Sequence, residues 1–330
     1  MGGKDPRKES IFTMSQIVGT VLQDTDGQFI GLTVGEDIAF ALENDCVPQD
    51  EMKRIVERTA TLVDIEHHLE YAPHELSGGQ KQRVSLAGVM VENVQVLLFD
   101  EPLANLDPAA GRATIELIDE VQINTGAAVI IIEHRLEDVL WKNVDRIVLM
   151  DEGRIVADMP TKTFLADTML LDHGIREPLY LTALRYAGVP ITEELEPQHV
   201  DSLQLSEEYK EQVRVWYRDS EGLVGADTQK KDILSVENLS FGYTPEKQNL
   251  RDVSFSIKEG EMVSIVGKNG AGKSTLAKLI CGFEKPTAGR ICLEGRDLLN
   301  DTIKERAQRI GYVMQNPNQM ISRPMIWDEV

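Results

Sequence analysis

Apolar positions along the chain gather in short runs, each stopped by glycine or by charge. VLLF (96–99), which closes on Asp100 and Glu101, and the VIII run at 129–132 read as buried strands; EMVSIVG (261–267) reads as a third. Helical spacing governs two other stretches. In LSGGQKQRVSLAGVM (76–90) the apolar side is Val84, Leu86 and Ala87, and in KSTLAKLICG (273–282) it is Leu276, Leu279 and Ile280. DRIVLMDEGRIVAD (145–158) predicts a closing β-hairpin, and LSFGYTPEKQNLRDVSFSIKEGE (239–261) predicts two strands joined by a turn. Between them, PLYLTALRYAGVP (178–190) predicts one or two helical turns ending at Gly188 and Pro190, followed by the acidic run EELEPQHVDSLQLSEEYKEQ. The stretch from Pro160 to Asp232 holds no ligand constellation and reads as a spacer. His67 and His68 read as exposed residues at a helix end, not as metal ligands.

Composition narrows the class. The chain has 330 residues, enough for two domains, and its hydrophobic share of 42% is that of a globular protein. No apolar run approaches the ~20 residues a membrane-spanning helix needs. IFTMSQIVGTVL near the start is broken by Ser15, Gln16 and Gly19, so it does not read as a signal peptide and a cytoplasmic protein is expected. A formal net charge of −21 argues against sequence-independent binding of nucleic acid, which relies on Lys and Arg displacing counterions. Cys46, Cys281 and Cys292 are odd in number and widely spaced, fitting neither a disulfide framework nor a zinc site.

Candidate chemistry lies where these elements end. Between the strand 261–267 and the helix 273–282 stands G-x-x-x-x-G-K-S, with Gly267, Gly272, Lys273 and Ser274. Its glycines let backbone N–H groups turn around phosphates, the helix N-terminus adds a positive dipole end, Lys273 reaches the β- and γ-phosphates, and Ser274 offers a hydroxyl to Mg²⁺. Tyr243, upstream, fits equally a stacking surface for adenine and an ordinary packed strand residue. In the first half, Ser77, Gly78, Gly79 and Gln80 stand at a helix start and offer a second anion grip. Asp100 is placed to hold Mg²⁺ and Glu101 to orient or deprotonate water, while His134, after the strand 129–132, is placed to contact a γ-phosphate.

LSGGQ, the DEP after an apolar strand, the LDP at 106–108, the EH at 133–134 and the GxxxxGKS loop together resemble the nucleotide-binding domains of ABC proteins. The resemblance covers most of the chain. It implies an ATP and Mg²⁺ site in which 267–275, with Asn269, Gly270 and Thr275, is the Walker A loop and Asp100 the Walker B acid. It also implies Glu101 as catalytic base, His134 as switch histidine, Asp107 as D-loop acid, Ser77 to Gln80 as the signature completing a partner's site, and Tyr243 as the adenine-stacking aromatic. The fold it implies is α/β: a three-layer P-loop NTPase core with a helical subdomain and an antiparallel β-subdomain.

QIVGTVLQ (16–23) and QRIGYVMQ (308–315) are two copies of one element, matching in Gln, Gly and Gln at equal spacing. In ABC proteins this is the Q-loop, so Gln23 and Gln315 would each meet Mg²⁺ and water. The expected organisation is therefore two partial copies: 1–165 with Q-loop, signature, Walker B and histidine, a connector at 166–231, and 232–330 with Walker A and the second Q-loop. Two arrangements fit: a piece of a longer tandem protein lacking both ends, in which the chain alone binds ATP with little hydrolysis, or one circularly permuted domain with strand 262–266 beside strand 95–99. GQFIGLTVGEDIAFALEN (27–44) and the signature run further resemble the ATPases of energy-coupling-factor importers, related to cobalt and vitamin uptake. A fused pair with a helical insert resembles the group assigned to hydroxymethylpyrimidine and thiamine. The implied partners are an integral-membrane coupling subunit and a small substrate-binding membrane subunit, reached at the cytoplasmic face of the membrane. One departure is Asp-Thr-Asp at 24–26 where 316–318 reads Asn-Pro-Asn. The rivals are a soluble tandem ABC ATPase acting on ribosomes or DNA, which the acidic connector disfavours, and a non-enzymatic scaffold, which Glu101 and His134 disfavour.

Overall fold

The structure is a computed structural model that describes all residues except 1, 2, 4, 6, 23, 24, 93, 105, 221–229, 245, 246 and 315–330, with the backbone only at 25 and 26. The chain divides into two compact units, Met1–Val224 and Gly225–Val330.

The first unit is built on a parallel sheet of β1 (Val18–Val21), β2 (Val96–Asp100) and β3 (Ala128–Ile132), in the order β1-β2-β3. Parallel neighbours need a crossover, and the helix Pro108–Thr125 supplies the one between β2 and β3. Asp107 caps that helix, Pro108 occupies its first turn, and Gly126 ends it with φ 69°, a left-handed conformation that costs glycine nothing. Leu97 and Phe99 point from β2 into a core shared with Ile38 of helix Val34–Asn44, Val84 of helix Gly78–Met90, and Ile115 and Ile118 of the crossover helix. The strand expected at 129–132 forms but is buried on one face: Val129 and Ile131 pack inward, while Ile130 and Ile132 are about half exposed. Four consecutive apolar residues look alike whether one face of a strand is covered or two.

A second core follows in the same unit. The expected hairpin is β4 (Arg146–Asp151) and β5 (Arg154–Pro160), paired antiparallel around a turn in which Glu152 and Gly153 both have positive φ. Onto it fold helices Thr161–Ala166 and Leu179–Tyr186, burying Leu149, Ala157, Phe164, Leu165, Leu181 and Leu184 together. Residues on both sides of position 165 thus share one core, and the stretch read as a spacer is a folded module. Its polar ties are also specific. The buried Glu177 carboxylate pairs with Arg185 Nε at 3.0 Å, Leu179 N donates to Glu137 Oε2 at 3.0 Å, and Tyr180 donates its hydroxyl to the Pro197 carbonyl at 2.7 Å. Burial, and then the charge of Glu137, push the Tyr180 phenol above its usual range.

The second unit carries an antiparallel sheet of β6 (Asp232–Thr244), β7 (Lys247–Lys258), β8 (Ala288–Leu293) and β9 (Arg296–Asp297), in the order β7-β6-β8-β9. The predicted two strands and turn at 239–261 are the β6-β7 ribbon. Against it pack Leu276 and Leu279 of helix Lys273–Cys281. The strand expected at 261–267 does not form: among the described residues it pairs with nothing, and Met262 and Val266 are 97% and 85% exposed. Within the first unit both edges of β2 are taken, by β1 and β3. Cys281 and Cys292 are buried and Cys46 exposed, all as free thiols. No helix among the described residues is long and apolar enough to cross a membrane.

Candidate functional site

The phosphate loop sits in the second unit, at the start of helix Lys273–Cys281. Gly270 and Gly272 hold φ of 78° and 92°, and a Cβ on Gly272 would meet the Asn249 carbonyl oxygen at 2.9 Å. Conformation and crowding both demand glycine there. The helix that follows has Gly272 as its N-cap, which offers no side chain to cap it. Lys273 curls over the loop, its Nζ donating to the Gly267 and Lys268 carbonyls at 2.6 and 2.8 Å. Ser274 is exposed while Thr275 is buried beneath it. The stretch 267–275 holds two lysines, an exposed hydroxyl and no carboxylate, and this donor set fits a triphosphate with its Mg²⁺. Tyr243, near the end of β6, has a half-exposed ring set edge-on to Phe241 at 4.9 Å, and its N–H donates to Asn249 Oδ1 at 3.3 Å. Asn249 thus borders both the aromatic and the loop, a role that no sequence signal announced.

The first unit gathers its candidates at one end of the parallel sheet. Asp100 ends β2, and Glu101 leaves the sheet with φ 46° while its N–H donates to the Ile132 carbonyl at 2.9 Å. A left-handed glutamate is strained by about 1–3 kcal/mol, and such strain clusters at functional turns. That hydrogen bond brings Glu101 alongside the Glu133–His134 step that follows β3. His134 is 70% exposed, with Nδ1 3.4 Å from Glu133 Oε1. Glu133 itself is buried and accepts from the backbone N–H groups of His134 (3.2 Å), Arg135 (3.2 Å) and Leu103 (3.4 Å). Arg135 Nη1 returns a bond to the Leu103 carbonyl at 2.9 Å. Glu133 and Arg135 therefore clamp the turn after Glu101 to the turn that presents His134. Only the acidic residue before the histidine hinted at this in the sequence.

Ser77 caps helix Gly78–Met90, and Gln80 completes a capping box by accepting from Ser77 N at 2.9 Å. Gln80 Nε2 lies 2.9 Å from His68 Nε2. The reading of His68 as an exposed helix-end residue is corrected: it is half-buried against the signature, because the turn Glu66–His68 folds beneath the helix start. His67 is exposed as expected. A Cβ added to Gly78 or Gly79 would meet nothing within 4 Å, and neither has positive φ. Nothing in this unit's own packing calls for glycine at either position. Gln82, one turn on, donates to the Pro102 carbonyl and accepts from Thr114 Oγ1 at 3.1 Å, tying the signature helix to the Glu101 turn and the crossover helix. Asp107 accepts from Ala109 N and Ala110 N at 3.1 and 3.0 Å. Gln23 and Gln315 lie outside the described residues.

A family model described as "ABC transporter" matches residues 1–104 and 250–328, and a second, "ATP-binding cassette cobalt transporter", matches 167–241. The chain is similar to a protein named as an ABC transporter ATP-binding protein in Clostridium perfringens, 54% identical over 99% of this chain and 57% of that one. It is similar to others in Photobacterium profundum and Enterococcus faecalis, each 53% identical over 100% of this chain and 58% of theirs. It therefore spans little more than half the length of these curated relatives. Among solved structures, cbiO1 of Clostridium perfringens, part of the ABC transporter complex cbiONQ, is 32% identical over 53% of this chain and 70% of that one, with a TM-score of 0.46. Matched over more than half its residues, on both sides of the module it shares with the cobalt-type cassettes, the chain belongs to the ABC transporter family and has its P-loop ATPase fold.

Proposed function

We propose that this chain is part of a tandem ATP-binding subunit of an importer of the energy-coupling-factor type, in which ATP binding and hydrolysis drive uptake of a vitamin, a vitamin precursor or a metal ion. The observation that carries the reading is the loop at 267–275, where glycine conformation, an uncapped helix start and the inward Lys273 ammonium converge. Gly267, Asn269, Gly270, Gly272, Lys273 and Thr275 hold the phosphates, Ser274 and Gln315 hold Mg²⁺, and Tyr243 stacks on the base. Bound Mg²⁺ neutralises charge developing on the phosphate oxygens. In the first half Asp100, Glu101, His134 and Gln23 serve the other site of the pair, with Asp107 in the D-loop. Ser77, Gly78, Gly79 and Gln80 complete the site of the facing domain, and the two glycines that this unit's packing does not require fit close approach of a phosphate. In this arrangement neither site is complete within 1–330, so the chain binds ATP and turns it over slowly.

The partners are an integral-membrane coupling subunit and a small substrate-binding subunit, with the ATPase peripheral at the cytoplasmic face. The match of 167–241 to cobalt-type cassettes and the ABC membership of the relatives support this class. The resemblance of the fused arrangement to hydroxymethylpyrimidine and thiamine importers supports the vitamin arm. Lys273→Ala is expected to weaken ATP binding at least tenfold by removing a charge-assisted contact to the phosphates, as measured by equilibrium dialysis. Unchanged affinity refutes the site. Co-purification with ribosomes, and with no membrane subunit, would replace the transport reading.

A further inference from the structure

The helix that opens on the phosphate loop closes on a buried arginine. Arg306, on the short helix Ile303–Ala307, is only 5% exposed. Its guanidinium donates through Nη1 to the carbonyls of Leu279 at 2.8 Å and Ile280 at 3.0 Å, and through Nη2 to the Leu298 carbonyl at 2.5 Å. The first two are carbonyls of the last turn of helix Lys273–Cys281, and the Leu279 carbonyl also accepts from the capping Gly282 N at 3.1 Å. Burial lowers the pKa of this arginine, opposed mainly by the charge of Asp301, yet guanidinium remains protonated in proteins. A full positive charge thus stands at the negative end of the helix whose positive end frames the phosphate loop.

The local sequence is shaped around this contact. Gly282 ends the helix with φ 83°, and a Cβ there would meet Arg306 Cδ and Nε at 2.9 Å. The backbone of Arg306 is bound as firmly on its other side, its carbonyl accepting from Arg309 N at 3.0 Å and Ile310 N at 2.8 Å. Ile310 packs against the same core as Leu276 and Leu279. Arg306 therefore joins three things: its guanidinium holds the end of the phosphate-loop helix and the turn after β9, and its carbonyl holds the backbone at 309–310.

We propose that Arg306 is a positioning residue that transmits nucleotide occupancy of the 267–275 loop to the 307–314 segment. This rests on the ATP reading above. Phosphate binding draws on the first turn of a nine-residue helix, and so short a helix moves as one body. Its last carbonyls then carry the guanidinium, and Arg306 carries the backbone of 307–314. Lysine replaces it only in part, since a single ammonium has no rigid fork with which to hold two segments in fixed relation.

The test is hydrogen exchange on the full chain, with and without a non-hydrolysable ATP analogue, in wild type, Arg306→Met, Arg306→Lys and Lys273→Ala. Wild type is expected to gain protection both at 267–275 and at 307–314. Arg306→Met is expected to keep the first and lose the second, with affinity for the analogue falling by about fivefold, in keeping with the loss of charge-assisted hydrogen bonds. Should Arg306→Met fail to fold, Arg306→Lys carries the test, with the gain at 307–314 reduced by about half. If the variants gain the same protection at 307–314 as wild type, or wild type gains it only at 267–275, the coupling is overturned while the ATP site stands. If wild type gains protection at neither place and matches Lys273→Ala, the ATP site fails and the coupling with it.

Discussion

QIVGTVLQ and QRIGYVMQ are near copies in sequence and unlike in structure. In the first, 18–21 forms β1, hydrogen-bonded along β2 with Val21 only 4% exposed. In the second, 311–314 pairs with no strand among the described residues, and Val313 is 82% exposed. The apolar runs behave the same way: 96–99 is central in a sheet, while 262–266 pairs with no strand among the described residues. A β-pattern is a demand for a partner, since each strand edge presents N–H and C=O groups that another strand must satisfy. β1 has β2, placed beside it by the chain between them.

The difference can be tested by substitution. Leu97→Ala, in the strand that β1 pairs with, is expected to cost about 2–5 kcal/mol, whereas Val313→Ala costs under ~0.5 kcal/mol, both read by urea unfolding. Equal costs would show that the second copy is packed in solution as tightly as the first. Ser77→Ala removes a helix cap next to this sheet and is expected to cost about 1 kcal/mol. A loss no greater than that of a surface substitution would mean that the bond from Ser77 N to the Gln80 side chain suffices. The smallest effect concerns Glu92, in the turn feeding β2. Burial, and then Asp45, raise its pKa in the folded state above the unfolded value. The folded state therefore holds the proton more tightly, and stability falls as pH rises from the unfolded pKa through the folded one. Glu92→Gln should raise the melting temperature slightly at pH 7 and leave it unchanged below pH ~4, where both forms are neutral. A rise of equal size at both pH values would assign the effect to packing, not charge.

Chemistry at the ends of elements was the part most readable in the chain. The phosphate loop, the signature cap at Ser77 and the hairpin at 145–158 each depend on residue types whose local preferences dictate the turn: left-handed glycine, a capping hydroxyl, a short glycine-containing turn. Glu133, Arg135, Gln82, Asn249 and Arg306 were not readable, because their work is done across distances in sequence that only folding closes. Arg306 reaches back 27 positions to Leu279, and Gln82 is bonded to Thr114 32 positions on. His68 was misjudged for the same reason. A histidine among polar residues looks exposed until a helix start is laid over it.

By itself, the sequence determined which family this chain belongs to and where its glycine-rich loop and acidic turns stand, since those rest on spacing within a few residues. The tertiary structure alone decided that 160–205 packs as a folded module within the first unit, that among the described residues 262–266 pairs with no strand, and that a buried guanidinium closes the phosphate-loop helix. Each of these depends on which partner a segment finds, and periodicity records that a face must be covered without saying by what.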